Sequence, residues 1–219
     1  MHTKIISMTA LEEMLAGADA LIFDCDGTLV NSCPVYSVAW TAGFALSGVI
    51  MDVDWYEARN GLSEHVLMDQ FEHEHRVVLD RENVVGTMRR YYLDHLTANL
   101  QEIAAVTEIV RRFAGKLPMA VASGGSREIV TSSLDALNLT KHFDKLITID
   151  DVGVPKPEPD LFLAAAKFLG VAPERCLVFE DSPQGIEAAR RASMSVIDVA
   201  HLLINPSREF TSRCGVHLK

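Results

Sequence analysis

Two aspartates stand two positions apart directly after an apolar segment, in "LIFDCDGTLV" at residues 21–30. Carboxylates are costly beside an apolar core, so Asp24 and Asp26 at the end of a buried strand indicate a chemical role. A carboxylate can attack phosphorus and form an aspartyl-phosphate, while a second acid protonates the leaving oxygen and later activates water. We interpret Asp24 as the candidate nucleophile and Asp26 as the candidate general acid and base.

Further along the chain, other groups that suit phosphoryl transfer follow apolar segments. The Ser-Gly-Gly-Ser turn at 123–126 stands where a helix is predicted to begin, and backbone N–H groups at a helix start bind phosphate. Lys156 can act as a point charge that offsets the negative phosphoryl oxygens. Glu180 and Asp181 add two carboxylates, and a few carboxylates suffice for Mg²⁺, which prefers hard oxygen ligands and retains some waters.

A parallel sheet would bring these groups together at one edge. Short apolar, β-rich segments occur at 20–23, 119–122, 145–149 and 176–179, with a weaker one at 194–199. They are apolar on both faces and mostly separated by segments of helical length, which predicts a mostly parallel sheet covered on both sides. The clearest helices are predicted at 126–139 and 159–170. Ligands of such sheets bind at the carboxyl ends of the strands, where the candidate groups lie.

The strand pattern disappears between Val35 and Leu100, where apolar residues recur at helical spacing. This change predicts a helical insert at 35–100, spliced in just after the first strand. We therefore expect an α/β protein with two domains, a core formed by 1–34 and 101–219 and the helical insert.

The charge balance disfavours polyanionic partners. Thirty Asp and Glu residues against 20 Lys and Arg give a formal net charge of −10, whereas binding to nucleic acid or an anionic membrane needs a basic surface. No stretch reaches the roughly eighteen apolar residues of a membrane span, and the N-terminal segment lacks the long apolar core of a secretory signal. We expect a cytoplasmic protein with no nucleic-acid or membrane partner.

The four cysteines, Cys25, Cys33, Cys176 and Cys214, include no CxxC pair and no spacing typical of metal ligands. We expect them to be thiols in a reducing compartment, without a metal or redox role. Cys25 lies between two aspartates, and side chains alternate along a strand, so its thiol is expected to point away from them into packing.

Taken together and in this order, "DCDGTLV", "VASGGS", "GVPKPEPD" and "LVFEDSPQGIEAA" resemble the four motifs of the haloacid dehalogenase-like hydrolase superfamily. The chain is most similar to the branch that contains β-phosphoglucomutase and small sugar-phosphate phosphatases, in which a helical cap follows the first motif. The resemblance implies a Rossmann-like parallel-sheet core, an inserted helical cap that closes over the substrate, and dependence on Mg²⁺.

The resemblance also implies a role for each motif residue. Asp24 matches the nucleophile, Asp26 the acid and base, and Lys156 the charge-balancing lysine. The implied phosphate-binding residues are Ser123, Gly124 and Gly125. The implied Mg²⁺ ligands are Asp24, Asp26 through its carbonyl, Glu180 and Asp181.

Three features of the sequence distinguish between the activities that are known in the superfamily. Asp26 argues against dehalogenation, because dehalogenases of the superfamily generally lack an acid at that position. Residues 37–100 contain no lysine, which excludes the Schiff-base route of the related phosphonate hydrolases. The chain reads "NSCP" after the first motif, and the histidine that the mutase branch carries near Tyr36 is missing, so the mutase specificity is not carried over.

The loop "RNGLSEH" at 59–65 resembles the specificity loop of the cap, but Glu64 stands where the mutase places an arginine. Because an anion there would repel a second phosphate, we predict a phosphatase acting on a small phosphorylated metabolite, either a sugar phosphate or a sugar-acid phosphate. The residues expected to sense its hydroxyl groups are Arg59, Asn60, Ser63 and Glu64. The alternatives are a β-phosphoglucomutase-like mutase and a catalytically silent binding protein, and the expected oligomeric state is a monomer or weak homodimer.

Overall fold

The computed structural model describes residues 7–202, which form two compact units. The core unit comprises 7–30 and 102–202, and the helical unit comprises 31–101. The helical unit begins and ends within a few residues of the predicted insert at 35–100, whose role as a cap stays a prediction. Residues 1–6 and 203–219, which we assigned to the predicted core, lie outside the described residues.

Within residues 7–202, the core unit contains a parallel sheet of five strands in the order β5-β4-β1-β6-β7. The strands found in this described range are β1 (Ala20–Phe23), β2 (Val30–Asn31), β3 (Gln101–Glu102), β4 (Met119–Ser123), β5 (Lys145–Thr148), β6 (Cys176–Glu180) and β7 (Ser195–Asp198). β2 and β3 form a separate pair. All five predicted strand segments are confirmed, each with boundaries that agree within one residue.

The same described residues contain ten α-helices. They are α1 (Met8–Gly17), α2 (Cys33–Phe44), α3 (Val53–Glu57), α4 (Glu64–His75), α5 (Arg81–Asn99), α6 (Ala104–Phe113), α7 (Arg127–Ala136), α8 (Ile149–Val152), α9 (Asp160–Leu169) and α10 (Pro183–Arg191). α7 ends three residues before the predicted 139 because Asn138 adopts a left-handed conformation with φ 56°. None of the described helices combines the length and apolar character needed to cross a bilayer.

Burial on both faces explains why the central strands are apolar throughout. Every residue of β1, β4 and β6 is buried. On one face of the sheet, Ile22 and Val178 pack in a cluster with Phe162 of α9. Side chains alternate between the faces of a strand, and on the other face Phe23 stacks on Phe179 with ring centroids 4.8 Å apart. The parallel sheet is therefore covered on both sides, as its sequence predicts.

The helical unit is held together by aromatic stacking and by a close approach of two helices. Phe44 of α2 stacks on Phe71 of α4 with ring centroids 3.8 Å apart, and Trp40 stacks on Phe44 at 5.1 Å. α2 packs along α5, and a Cβ built on Gly43 of α2 would lie 2.8 Å from the carbonyl oxygen of Val84 in α5. The two backbones can approach this closely because glycine has no side chain.

The cysteines follow the expectation only in part. Cys25 and Cys176 are buried free thiols, and burial raises the pKa of the Cys25 thiol well above its ordinary value. Cys33 is disulfide-bonded, so the expectation of a thiol was wrong for this residue. Cys214 lies outside the described residues.

Replacing Gly43 by alanine is expected to destabilise the helical unit, because the added methyl group would press against the Val84 carbonyl group. We expect the free energy of unfolding to fall by about 1–3 kcal/mol, the range found for overpacked cores. Gly86→Ala on α5 is the matched control, because no neighbouring heavy atom lies within 4 Å of a Cβ built there. Alanine favours the helix more than glycine does, so this variant should raise the free energy of unfolding by about 1 kcal/mol. Urea denaturation followed by circular dichroism measures both variants, and equal stabilities would contradict the close packing of α2 on α5.

Candidate active site

The strand register brings acids from two motifs side by side. Phe23 of β1 pairs with Phe179 of β6, so the residues that follow them, Asp24 and Glu180, meet at the carboxyl edge of the sheet. Asp24 is 5% exposed and Glu180 is 1% exposed. Asp181 is half-buried beside them, and one oxygen of each carboxylate lies within 4.8 Å of the others. The structure therefore brings the predicted acids into one cluster.

Lys156 bridges two of these carboxylates. Its Nζ donates hydrogen bonds to Oδ1 of Asp24 and Oε2 of Glu180, each at 2.6 Å, and its side chain is 10% exposed. Burial by itself would lower the pKa of this ammonium group, but the charges of Asp24 and Glu180 outweigh burial and raise the pKa above its ordinary value. Lys156 is therefore a buried cation, placed where the sequence predicts the charge-balancing lysine.

The cluster carries more negative than positive charge, which suits a divalent cation. Burial raises the pKa of Asp24 well above its ordinary value, and the charge of Glu180 raises it further, against the opposing effect of Lys156. Three carboxylates face one ammonium group, and their hard oxygens are the ligands that Mg²⁺ prefers. The residues present thus fit a Mg²⁺ ion, whose charge would also favour the ionised form of Asp24.

Glu180 is fixed at both of its carboxylate oxygens. Oε1 accepts hydrogen bonds from the backbone N–H of Asp181 at 3.0 Å and from the N–H and hydroxyl groups of Ser182, both at 2.9 Å. Oε2 accepts from Lys156. Ser182 is also the N-cap of α10, where its Oγ accepts from the N–H of Gly185 at 3.0 Å. Whether Glu180 also binds the metal directly stays a prediction.

Asp181 lies against the turn that follows the first motif. Thr28 Oγ1 donates to Asp181 Oδ1 at 3.4 Å. Gly27 has a φ of 86°, and a Cβ at this position would overlap the Asp181 carboxylate. Glycine is therefore required here twice, for the left-handed backbone of the turn and for the close approach of the acid.

The serine loop meets Asp26. Ser123 ends β4 and is buried, and its Oγ accepts from the N–H of Gly125 at 3.0 Å. A Cβ built on Gly125 would lie 3.4 Å from Oδ2 of Asp26 and 3.4 Å from Oγ of Ser123. α7 begins at Arg127, so Gly124 and its neighbours stand directly before a helix, as the phosphate-binding prediction requires.

Two of the four candidate specificity residues form ion pairs inside the helical unit. Both carboxylate oxygens of Glu64 accept from Arg89, from Nε at 3.1 Å and from Nη2 at 2.8 Å. The Arg59 guanidinium lies 4.3 Å from the ring centroid of Trp55 and pairs with Glu74 at 2.8 Å. The sequence does not predict either pairing, and both show that these charges are compensated by neighbours in the same unit.

The other two candidates occupy the turn before α4. Asn60 Oδ1 accepts a hydrogen bond from the hydroxyl group of Tyr56 at 3.4 Å. Ser63 is the residue that precedes α4. For Asn60 and Ser63, as for Arg59 and Glu64, binding of substrate stays a prediction.

Two supporting residues were missed at the sequence level. Ser182 orients Glu180, and the signal that could have found it is a serine directly before proline at a helix start, the pattern of an N-cap. Thr28 donates to Asp181, and only the fold reveals this contact, since 153 positions separate the two residues.

Known proteins resemble this chain in sequence and in fold. Residues 18–193 match the family described as haloacid dehalogenase-like hydrolase. The fructose-1-phosphate phosphatase YqaB of Escherichia coli K12 is 32% identical over 179 residues, which cover 82% of this chain and 95% of that protein. The 6-phosphogluconate phosphatase of the same organism is 30% identical over 180 residues, which cover 81% of this chain and 80% of that protein. The crystal structure of a hydrolase from Pseudomonas syringae is 27% identical with a TM-score of 0.72, covering 84% and 89% of the two chains.

Gly185→Ala is expected to weaken Mg²⁺ binding, because a Cβ at this position would overlap the side chain of Glu180 and displace it from the cluster. Loss of such a supporting contact typically lowers metal affinity by about 10–100-fold, and we expect an effect in that range. Isothermal titration of purified protein with Mg²⁺ measures it. Gly17→Ala is the control, since no neighbouring atom lies within 4 Å of a Cβ there. Unchanged Mg²⁺ affinity in Gly185→Ala would show that the position of Glu180 does not matter for the metal.

Proposed function

The chain belongs to the haloacid dehalogenase-like hydrolases, and from this premise we propose that it is a phosphatase. Its substrate is a small phosphorylated metabolite, either a sugar phosphate or a sugar-acid phosphate, and its cofactor is Mg²⁺. One observation carries the proposal: the buried Lys156 ammonium lies between Asp24 and Glu180, at the sheet edge that also holds Asp26 and Ser123. Two relatives named for sugar-phosphate and sugar-acid-phosphate hydrolysis support the substrate class.

In the first half of the reaction, Asp24 accepts the phosphoryl group. Its carboxylate oxygen forms a bond to phosphorus while the bond between phosphorus and the sugar oxygen breaks. Asp26 donates its proton to the departing oxygen, so the sugar leaves as a neutral alcohol. Ser123 and the N–H group of Gly124 hold the phosphoryl oxygens just before α7 begins, and the N–H group of Gly125 orients the Ser123 hydroxyl group.

In the second half, water releases the phosphate. Asp26, now a carboxylate, takes a proton from the water as the water oxygen attacks phosphorus. The bond between phosphorus and Asp24 breaks, inorganic phosphate departs, and both aspartates return to their initial states. Lys156 stays close to Asp24 in both halves and offsets the negative charge on the phosphoryl oxygens.

A metal ion completes the charge balance. Asp24, Asp181 and the backbone carbonyl of Asp26 are the residues we assign to hold Mg²⁺, with Glu180 beside them. When bound, Mg²⁺ supplies positive charge to the phosphoryl oxygens and keeps the carboxylates of the cluster ionised.

Charge compensation within the helical unit favours a phosphatase over a mutase. A mutase must hold a second phosphate, which calls for cationic side chains in the cap. Both carboxylate oxygens of Glu64 accept hydrogen bonds from one edge of the Arg89 guanidinium, its Nε and Nη2, and Arg59 is engaged by Glu74 and Trp55. A distal phosphate would have to compete with these carboxylates, whereas the neutral hydroxyl groups of a monophosphorylated sugar would not.

Mg²⁺-dependent turnover and its loss on Asp24→Asn test the activity itself. We expect hydrolysis of p-nitrophenyl phosphate that EDTA abolishes and added Mg²⁺ restores. Asp24→Asn should reduce kcat by at least about 10³-fold, because an amide oxygen is a poor nucleophile towards phosphorus. Phosphate release followed by absorbance measures both effects.

Asp150→Asn provides a carboxylate-to-amide control outside the cluster. Asp150 accepts a hydrogen bond from the backbone N–H of Arg127 through Oδ2, at 2.8 Å, and its replacement should leave most of the activity. Turnover that persists in EDTA, or full activity of Asp24→Asn, would contradict the proposed mechanism and indicate another hydrolase. Absence of any turnover would leave a catalytically silent binding protein.

A mutase and a phosphatase can be distinguished by the product that they form from a sugar phosphate. We expect β-glucose 1-phosphate, mixed with enzyme, Mg²⁺ and a trace of glucose 1,6-bisphosphate, to yield free phosphate as its main product. Coupled detection of glucose 6-phosphate alongside free phosphate measures the two outcomes. Glucose 6-phosphate formed much faster than free phosphate would identify the protein as a mutase. A panel of sugar phosphates, sugar-acid phosphates and nucleotides then defines the substrate of the phosphatase.

A further inference from the structure

We infer that Phe162 is a positioning residue whose ring face holds the Lys156 ammonium group against Asp24 and Glu180. The Nζ of Lys156 lies 4.9 Å from the centroid of the Phe162 ring. This inference rests on the proposed function, because it concerns the lysine that serves the proposed nucleophile. It adds to that function a residue outside the four motif groups that carry the chemistry.

The location of Phe162 suits this role. Phe162 stands in the first turn of α9, a few residues beyond Lys156, and it is 0% exposed. It belongs to the apolar cluster that packs α9 and α10 on the sheet, together with Ile22 and Val178 of β1 and β6. The ring therefore packs on the same two strands that position Asp24, which directly follows β1, and Glu180, which ends β6.

The forces on the ammonium group explain why a ring face is useful there. Two of its directions are taken by the hydrogen bonds to Asp24 and Glu180, each 2.6 Å long. The negative face of an aromatic ring attracts a cation within about 6 Å and also excludes water from it. Exclusion of water strengthens the two ion pairs, because electrostatic interactions grow as the local dielectric constant falls. An aliphatic side chain would exclude water equally but would not attract the charge.

A second lysine–phenylalanine pair on the same helix provides a matched control. The Nζ of Lys145 lies 5.2 Å from the ring centroid of Phe168, which stands near the other end of α9 and is 53% exposed. Lys145 begins β5, whereas the proposed site lies at the carboxyl ends of the strands. The same ring chemistry thus occurs once beside the site and once away from it.

The test replaces Phe162 by phenylalanines with one, two and three ring fluorines, which weaken cation binding stepwise at nearly constant size. We expect kcat for p-nitrophenyl phosphate to fall stepwise, by roughly thirtyfold for the trifluorinated ring, which is the scale of losing a desolvated cation–π contact. KM should change by less than about twofold, because the misplaced ammonium group acts mainly on the orientation of the nucleophile. The same series at Phe168 should leave kcat unchanged.

A spectroscopic measurement on the metal-free protein needs no activity. The Nζ of Lys156 lies over a ring face, so we expect the NMR signals of the adjacent Hε protons to be shifted upfield and Phe162→Leu to remove that shift. A flat kcat series at Phe162, a graded series at both phenylalanines, or the absence of the upfield shift in the wild type would each overturn the inference. Failure of the proposed function is distinct: wild-type protein would then show no Mg²⁺-dependent turnover, and the NMR shift alone would decide whether Phe162 positions Lys156.

Discussion

The contact on which the core unit's site depends is the buried ammonium group of Lys156 between Asp24 and Glu180. Removing a charge from water costs several kcal/mol unless partners compensate it, so the lysine and the two acids can be buried only together. The three residues also come from different parts of the fold: Asp24 follows β1, Glu180 ends β6 and Lys156 lies in the loop before α9. The ion pairs therefore link the site to the correct assembly of the sheet.

Small and polar neighbours without chemistry of their own fix the geometry of the acids. Ser182 and the backbone hold one oxygen of Glu180, and Gly185 leaves the space that this side chain occupies. Gly27 does the same for Asp181. Close approach of this kind is possible only where a Cβ is missing, so these glycines are needed to make room for the carboxylates, and Gly27 is needed for its backbone conformation as well. The proposed phosphatase chemistry thus relies on tight packing around a few carboxylates.

Charge is organised differently in the two units. In the core unit, one ammonium group pairs with two carboxylates of a cluster of three, which leaves negative charge for a metal ion to balance. In the helical unit, the charges of Arg59 and Glu64 are matched by Glu74 and Arg89. The unbalanced negative charge thus lies at the proposed catalytic site in the core unit. The paired charges lie in the helical unit, where we propose that substrate hydroxyl groups bind. Two relatives of the chain are named as phosphatases of different substrates, fructose 1-phosphate and 6-phosphogluconate.

Local pattern alone determined the strands, the helical insert and the motif residues, because apolar periodicity and turn residues report on burial over a few neighbouring positions. It failed where an outcome depends on distant packing. Lys156 and Asp24 are 132 positions apart, and the partner of Glu64 is 25 positions away, so neither contact has a local signal. The bonding of Cys33 likewise has no signal at neighbouring positions, whereas α7 ends early for a local reason, the left-handed residue that closely follows it. Tertiary structure alone placed the Phe162 ring beside Lys156, because the side chains that share a space are set by how helices and strands pack.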